Sequence, residues 1–224
     1  MNTEFAIAEV MPGKLNALVK NIMHQTGEAD PSEAVRLVNS GEWVVSKSTR
    51  SWREEDGVIY FSVTSDGTTG EDWIKRLEGN GSRVGNYAKQ VLRSPDFKPT
   101  NGMTTEVAVL KGMLFEDNDR ITKNICTFAE AFRTPDKRKL GKPEPELACL
   151  IREKFTDKEI EAMGLWYIVA MHEPINDPNG VPDLLDANRS VGGPWLGACI
   201  GRPGDRWDRG VGFAFAVSQV SSQH

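Results

Sequence analysis

The chain has 224 residues, 39% of them hydrophobic and 26% charged, with a formal net charge of −5. That suits one large globular domain or one domain with a small appendage, and it excludes a general attraction to nucleic acid or to an anionic membrane. Three cysteines, Cys126, Cys149 and Cys199, lack metal-type spacing, so reduced thiols are expected rather than a disulfide framework.

Residues 14–24 set Leu15, Leu18, Val19 and Ile22 on one helical face, and Gly27 stops the pattern. No basic segment leads into an apolar run there, and no run approaches the roughly 20 residues that span a bilayer. A cytoplasmic protein without membrane insertion is expected, with display on a virion or cell surface left open. Asp30-Pro31 reads as an N-cap followed by proline at the first helical position, opening a helix to Val38 that Gly41 ends. Residues 1–42 are thus expected to form a helical appendage to a domain spanning 43–224.

From Trp43 the pattern changes. Residues 42–46 and 57–63 read as strands, and Asp56-Gly57 is a hairpin signal. Residues 71–78 and 83–93 read as two helices, the second carrying Arg83, Lys89 and Arg93. They suit either a DNA-reading pair or an αα-hairpin packed through Trp73, Ile74, Leu77, Tyr87, Val91 and Leu92, and generic helix pairs are far the commoner. Residues 104–110 form the next strand. Asn118 or Asp119 could cap a helix through Phe132, with Ile121, Ile125, Phe128, Ala129 and Phe132 on one face. Residues 133–145 are an exposed connector, and 146–155 suit either helix or strand. Thr156 and Glu159 have capping-box spacing for a helix to Met163, closed by Gly164. Residues 165–171 are continuously apolar, hence a central strand with Trp166 in the core. Residues 173–183 are turn-forming throughout.

The chemistry-bearing residues do not assemble into a catalytic pattern. His24, His172 and His224 sit in no zinc-binding frame, and His172, at a strand end, reads as structural. Glu173, Asn176, Asp177, Asn179, Asp183 and Asp186 are rich in oxygen but lack calcium-loop spacing, so capped turns are expected. Cys199 has no nearby histidine, and Gly192, Gly193 and Gly201 precede no helix that could cradle phosphate. No enzyme, metal or cofactor is expected.

The stretch from Asp186 to Val217 sets Trp195 and Trp207 among glycines, arginines and aspartates, then closes into an alternating strand from Gly212. It reads as a long irregular loop on a rigid scaffold. Trp195, Trp207, Phe213 and Phe215 are its expected framework. The exposed ligand-binding positions are expected at Asn188, Arg189, Ser190, Val191, Gly197, Cys199, Ile200, Gly201, Arg202, Gly204, Asp205, Asp208, Arg209 and Val211.

The segment LLDANRSVGGPWLGACIGRPGDRWDRGVGFAFAVSQVSS resembles the variable region of diversity-generating retroelement target proteins. More broadly it is similar to the C-terminal part of C-type-lectin-like and formylglycine-generating-enzyme-like domains. The resemblance implies an α+β, C-type-lectin-like fold with mixed and antiparallel strands, at least two packed helices and a long irregular C-terminal loop region. It implies a non-catalytic receptor whose C-terminal surface is rewritten by mutagenic reverse transcription. The expected ligand is a protein rather than nucleic acid; oligomeric state does not follow. The cysteine pair of the formylglycine-generating enzymes is unmatched, because Cys199 stands alone. The calcium-lectin signatures are also missing, since Ile175 follows Glu173-Pro174 and Arg209 follows Trp207-Asp208. The alternatives are a DNA-binding regulator using 71–93 and an enzyme related to the formylglycine-generating type.

Overall fold

The computed structural model describes residues 19–20, 22–23, 28–43, 50–115, 120–121, 125–201 and 207–218. The chain divides into two compact units, Met1–Arg50 and Ser51–His224. In the first, the described residues 19, 20, 22 and 23 are helical, while the rest of the expected 14–24 helix and Gly27 lie outside the described residues. Helix α1 (Pro31–Asn39) starts as its sequence predicts: Asp30 accepts a hydrogen bond from the Ser32 backbone, and proline fills the first turn. The expected strand at 42–46 is not supported where it is described. Glu42 and Trp43 form a bend, and 44–46 lie outside the described residues.

The second unit is α+β. Its strands in chain order are β1 (Arg53–Glu55), β2 (Val58–Asp66), β3 (Arg83–Val84), β4 (Asn101–Lys111), β5 (Arg120–Ile121) and β6 (Leu140–Gly141). These are followed by β7 (Tyr167–Ala170), β8 (Ile175–Asn176), β9 (Pro182–Asn188), β10 (Trp195–Ile200), β11 (Trp207–Asp208) and β12 (Val211–Val217). Its helices are α2 (Gly70–Gly79), α3 (Asn86–Leu92), α4 (Ile125–Ala131), α5 (Leu147–Lys154) and α6 (Asp157–Ala162).

A ten-stranded mixed sheet runs β1-β2-β4-β12-β7-β9-β10-β3, with β6 also pairing β12 and β8 pairing β9. The β12–β7 and β10–β3 pairs are parallel, and the other pairs are antiparallel. β5 and β11 form a separate two-stranded ribbon.

Local chemistry explains several elements. Asp56 and Gly57 take φ of 51° and 78°, the left-handed pair that a two-residue hairpin turn needs. The partner strand is the charged Arg53–Glu55, however, not residues 42–46. Thr156 and Glu159 form the full reciprocal capping box of α6, and Gly164 follows at φ 77°. The ambiguous stretch 146–155 is helical.

Two cores lie on opposite faces of the sheet. On one, Ile59, Phe61, Val107, Val109, Ile168, Leu185 and Leu196 pack with Trp73, Leu77, Val91, Ile151 and Ile160 of the helices. On the other, Tyr60, Leu110, Val169, Leu184, Phe213 and Phe215 pack with Phe115, Ile125 and Ala129, and with the partly buried Phe128, Phe132 and Trp207. β12 feeds both, because alternate side chains of a strand point to opposite faces.

Several local readings change, among them the connector 133–145, which buries Thr134 and Leu140 and supplies β6, and the segment 173–183, which contains β8 and the start of β9. Arg83 and Val84 are strand, because β10 supplies a parallel partner from more than a hundred residues away, so the second helix starts only at Asn86. The helix pair packs as expected through Trp73, Ile74, Leu77, Val91 and Leu92, but Tyr87 points outward with 59% exposure. The helix expected from 118 starts at Ile125, because Arg120 and Ile121 pair with Trp207 and Asp208; residues 118, 119 and 122–124 lie outside the described residues. Finally, the region expected to be one long irregular loop is largely strand: β9 and β10 pair in register from Asn188↔Trp195 to Asp183↔Ile200.

Candidate ligand-binding surface

The registers align two rows of residues across the sheet. One runs Val58, Leu110, Phe213, Val169, Asp186, Gly197. It starts apolar and ends on a carboxylate facing a glycine. The other runs Val211, Tyr167, Asn188, Trp195, Arg83 and marks one end of five neighbouring strands. Trp166, Gly210 and the 189–194 turn lie immediately beyond that second row. The opposite strand ends carry Met171, Asp183 and Ile200.

At the first of these ends, side chains hold the turn in place. The Trp166 amide donates to the Gly210 carbonyl at 2.8 Å, and the Arg189 amide donates to the Trp166 carbonyl at 3.1 Å. The Arg189 guanidinium lies 4.1 Å over the Trp166 ring, donates from Nε to the Leu165 carbonyl, and pairs with Glu161 at 2.8 Å. Gly210 is needed because a Cβ there would stand 2.5 Å from Trp166 Cδ1. Behind the turn, buried Arg152 donates from Nη1 to the Asn188 carbonyl at 2.9 Å and from Nη2 to the Phe155 carbonyl, and it pairs with Asp157.

The expected site residues therefore divide. Asn188 and Arg189 are half-buried, Ser190 and Val191 are exposed, and Asp208 and Arg209 are exposed at the approach to β12. Arg189 is committed to its three neighbours rather than free to read a ligand. Cys199, Ile200 and Gly201 lie toward the far end of β10, roughly 17 Å from Trp195 at the usual strand rise. They do not share a surface with 188–191. The Cys199 thiol donates to the Leu184 carbonyl at 3.6 Å. Val211 corrects its expectation: it opens β12 with no exposed surface, so it cannot meet a ligand. Arg202, Gly204 and Asp205 lie outside the described residues.

Of the framework aromatics, Phe213 and Phe215 are buried, Trp207 packs edge-on against Phe213 at 5.5 Å, and Trp195 is half-buried. Trp166, expected in the core, is instead 60% exposed, because β7 begins only after it and the ring folds outward onto Arg189. Trp166→Ala is therefore expected to shift unfolding free energy by no more than about 1 kcal/mol, the scale of a surface cation–π contact, in a urea titration.

Gly197 and Asp186 constrain each other. A Cβ at Gly197 would sit 2.8 Å from both Asp186 oxygens. Asp186 is buried, its Oδ1 has no partner, and burial pushes its carboxyl up to about 7, with Asn188 opposing more weakly. The folded pKa lies above the unfolded one, so the folded state binds the extra proton. This group's contribution to stability is thus fully present below about pH 4 and is lost as pH rises toward 7. Asp186→Asn is expected to raise the melting temperature at pH 8 and to flatten its fall between pH 4 and 7.

His172 is structural, as its position suggested. Its Nε2 accepts from the Leu185 amide at 3.0 Å, which leaves the proton on Nδ1 to donate to the Glu173 carbonyl at 2.7 Å. Burial lowers its pKa to about 4, so the ring stays neutral. Asp177 accepts from the amides of Asn179 and Val181 at 2.8 Å, which makes the expected capped turn. Among the described residues no cluster of His, Cys, Asp and Glu could hold a metal ion, and no helix is long and apolar enough to cross a membrane. On the helix pair, Lys89 is paired with Glu78 and Arg93 with Glu71.

Two cavities have no counterpart in the sequence motifs. One, of about 610 Å³, opens where β4 runs past the last β12 pair, at Val107↔Ala216. Its buried Glu146 accepts from Thr100 through Oε1 and keeps Oε2 buried without a hydrogen-bond partner, and its Arg138 and Lys142 pair with Glu106 and Glu173. The other, of about 410 Å³, adjoins the 189–194 turn and is walled by Arg83 and Trp195. No family model matches the chain, and neither a curated protein nor a solved structure does.

Proposed function

We propose that this protein is a non-catalytic, receptor-type binder on a C-type-lectin-like fold, whose C-terminal surface is diversified by a retroelement. The observation that carries the reading is the shared strand end. Exposed Ser190, Val191 and Arg209 lie on turns, and exposed Asp208 ends β11, next to β9 and β12, whose residues are mostly buried. Side chains there can change while Phe213, Phe215 and Arg152 keep the fold. The binding surface is narrower than the sequence suggested. It comprises Asn188, Ser190, Val191, Asp208 and Arg209, with Arg189 and Trp166 as its support, while 199–201 fall elsewhere and Gly197 is held to glycine by Asp186.

Two experiments test this. Ala at Ser190, Val191 and Asp208 is expected to leave unfolding free energy within about 0.5 kcal/mol of the parent, as for ordinary surface positions. Losses of several kcal/mol would remove the separation of stability from recognition. Sequencing the DNA around the gene is expected to find a reverse transcriptase gene and an imperfect repeat of codons 186–217 that differs at adenines. A locus with neither removes diversification from the reading and leaves only a binding surface.

A further inference from the structure

The edge of the sheet at β3 carries a second arrangement, built mostly from residues outside the proposed variable surface. The Arg83 amide donates to the Pro194 carbonyl at 2.8 Å, and the Gly85 amide donates to the Leu196 carbonyl at 2.9 Å. These bonds fix β3 against β10 and set the Arg83 guanidinium 5.7 Å from the centre of the Trp195 ring. Arg76, Arg93, Arg138, Arg152 and Arg189 all reach a carboxylate. Among the described residues, Arg83 reaches none.

The surroundings keep that guanidinium available. A Cβ at Gly192 would stand 2.9 Å from Arg83 Nη1, so the turn passes beside the charge without covering it. A Cβ at Gly85 would stand 3.0 Å from Trp195 Nε1, so bare glycine keeps side-chain atoms off the indole N–H. Both groups, with Ser82 and Asn86, line the cavity of about 410 Å³. One guanidinium fork, an indole that can only donate, a hydroxyl and an amide form a donor set suited to an anion. Glu78 also lines the cavity and is already paired with Lys89. A second negative charge on the ligand would be repelled by it, which favours a monoanion over a phosphate dianion.

We propose that this cavity binds a carboxylate, with Arg83 supplying the charge and Trp195 a wall and a donor. It goes beyond the surface reading above and does not depend on whether residues 188–191 vary. Its ligand is the carboxylate itself, carried on an acidic side chain of a partner or on a small free acid.

The test uses the full chain labelled with ¹⁵N, following the Trp195 indole N–H signal, which Trp195→Phe assigns by deletion. Four probes are titrated at constant ionic strength: glutamate capped at both ends, capped glutamine, propionate and inorganic phosphate. Capped glutamate is expected to move the signal saturably and capped glutamine to leave it still. Arg83→Gln is expected to weaken binding about tenfold or more, the size of one charge-assisted bidentate contact. Gly192→Ala keeps the charge but displaces the guanidinium, and it is expected to weaken binding with no change in melting temperature. If propionate binds as well as capped glutamate, a free acid suffices; weaker binding assigns the site to a partner's side chain. A signal that stays still with every carboxylate, moves equally in Arg83→Gln, or responds most to phosphate overturns the proposal. Loss of carboxylate binding with intact surface substitutions, or the reverse, separates this site from the diversified surface.

Discussion

Phe213→Ala is expected to lower unfolding free energy by about 3–5 kcal/mol, the range for truncating a fully buried aromatic. Phe213 has no exposed surface and sits in mid-sheet between Leu110 and Val169. Its ring meets Phe115 edge-on at 6.1 Å and Trp207 at 5.5 Å. Truncation forfeits these contacts and leaves a cavity that two flanking strands, held in register by hydrogen bonds, cannot close. The near-UV circular dichroism of Trp207 should weaken in parallel, because the indole loses the ring it packs against. Phe213→Leu should recover more than half of the loss. A denaturant midpoint for Phe213→Ala close to the parent's would place the second core somewhere other than on β12.

Arg152→Met is expected to cost about 2–5 kcal/mol by chemical denaturation, for a different reason. Methionine preserves much of the buried volume but removes the donors that serve the Asn188 and Phe155 carbonyls. Each carbonyl left unsatisfied costs about 1–3 kcal/mol. Asp157 adds to this, because the Oδ1 that pairs with Arg152 is buried even though the side chain as a whole is partly exposed. Burial lowers the Arg152 pKa against the opposing pull of Asp157. Arg152→Lys should not rescue the loss, since one ammonium cannot reproduce the planar fork that reaches both carbonyls. Because Asn188 leads into the 189–194 turn, the same substitution should also loosen the Trp166–Arg189 stack. A denaturation curve unchanged in midpoint and slope would rule out this role for Arg152.

Signals confined to a few neighbouring residues were legible in the sequence. Asp30-Pro31, Asp56-Gly57 and the Thr156–Glu159 box act within one turn, and each forms as its chemistry dictates. Alternation also revealed β12, whose large side chains fill one core and small ones the other. What failed depended on distant partners. β10 shows no clear period because Gly197 must make room for the Asp186 carboxyl across the strand pair. Arg83 and Val84 are extended only because β10 lies beside them, so the carboxylate cavity had no local signature. Trp166 stands at the head of an apolar run, and hydrophobicity alone cannot tell the last residue outside a sheet from the first inside it. The buried Asp186 and Arg152 sit within apolar stretches where sequence gives no sign of their burial.

The position of β12 also constrains how the chain assembles. It is synthesised after every other strand of the sheet, yet it lies between β4 and β7. Until it leaves the ribosome, the β1-β2-β4 block and the β7-β9-β10-β3 block have no common strand, and each presents an open, apolar edge. The two halves of the sheet must therefore wait for β12, and the sheet closes only once that strand has paired with both neighbours. Until β12 pairs, the exposed edges of β4 and β7 can pair with other chains.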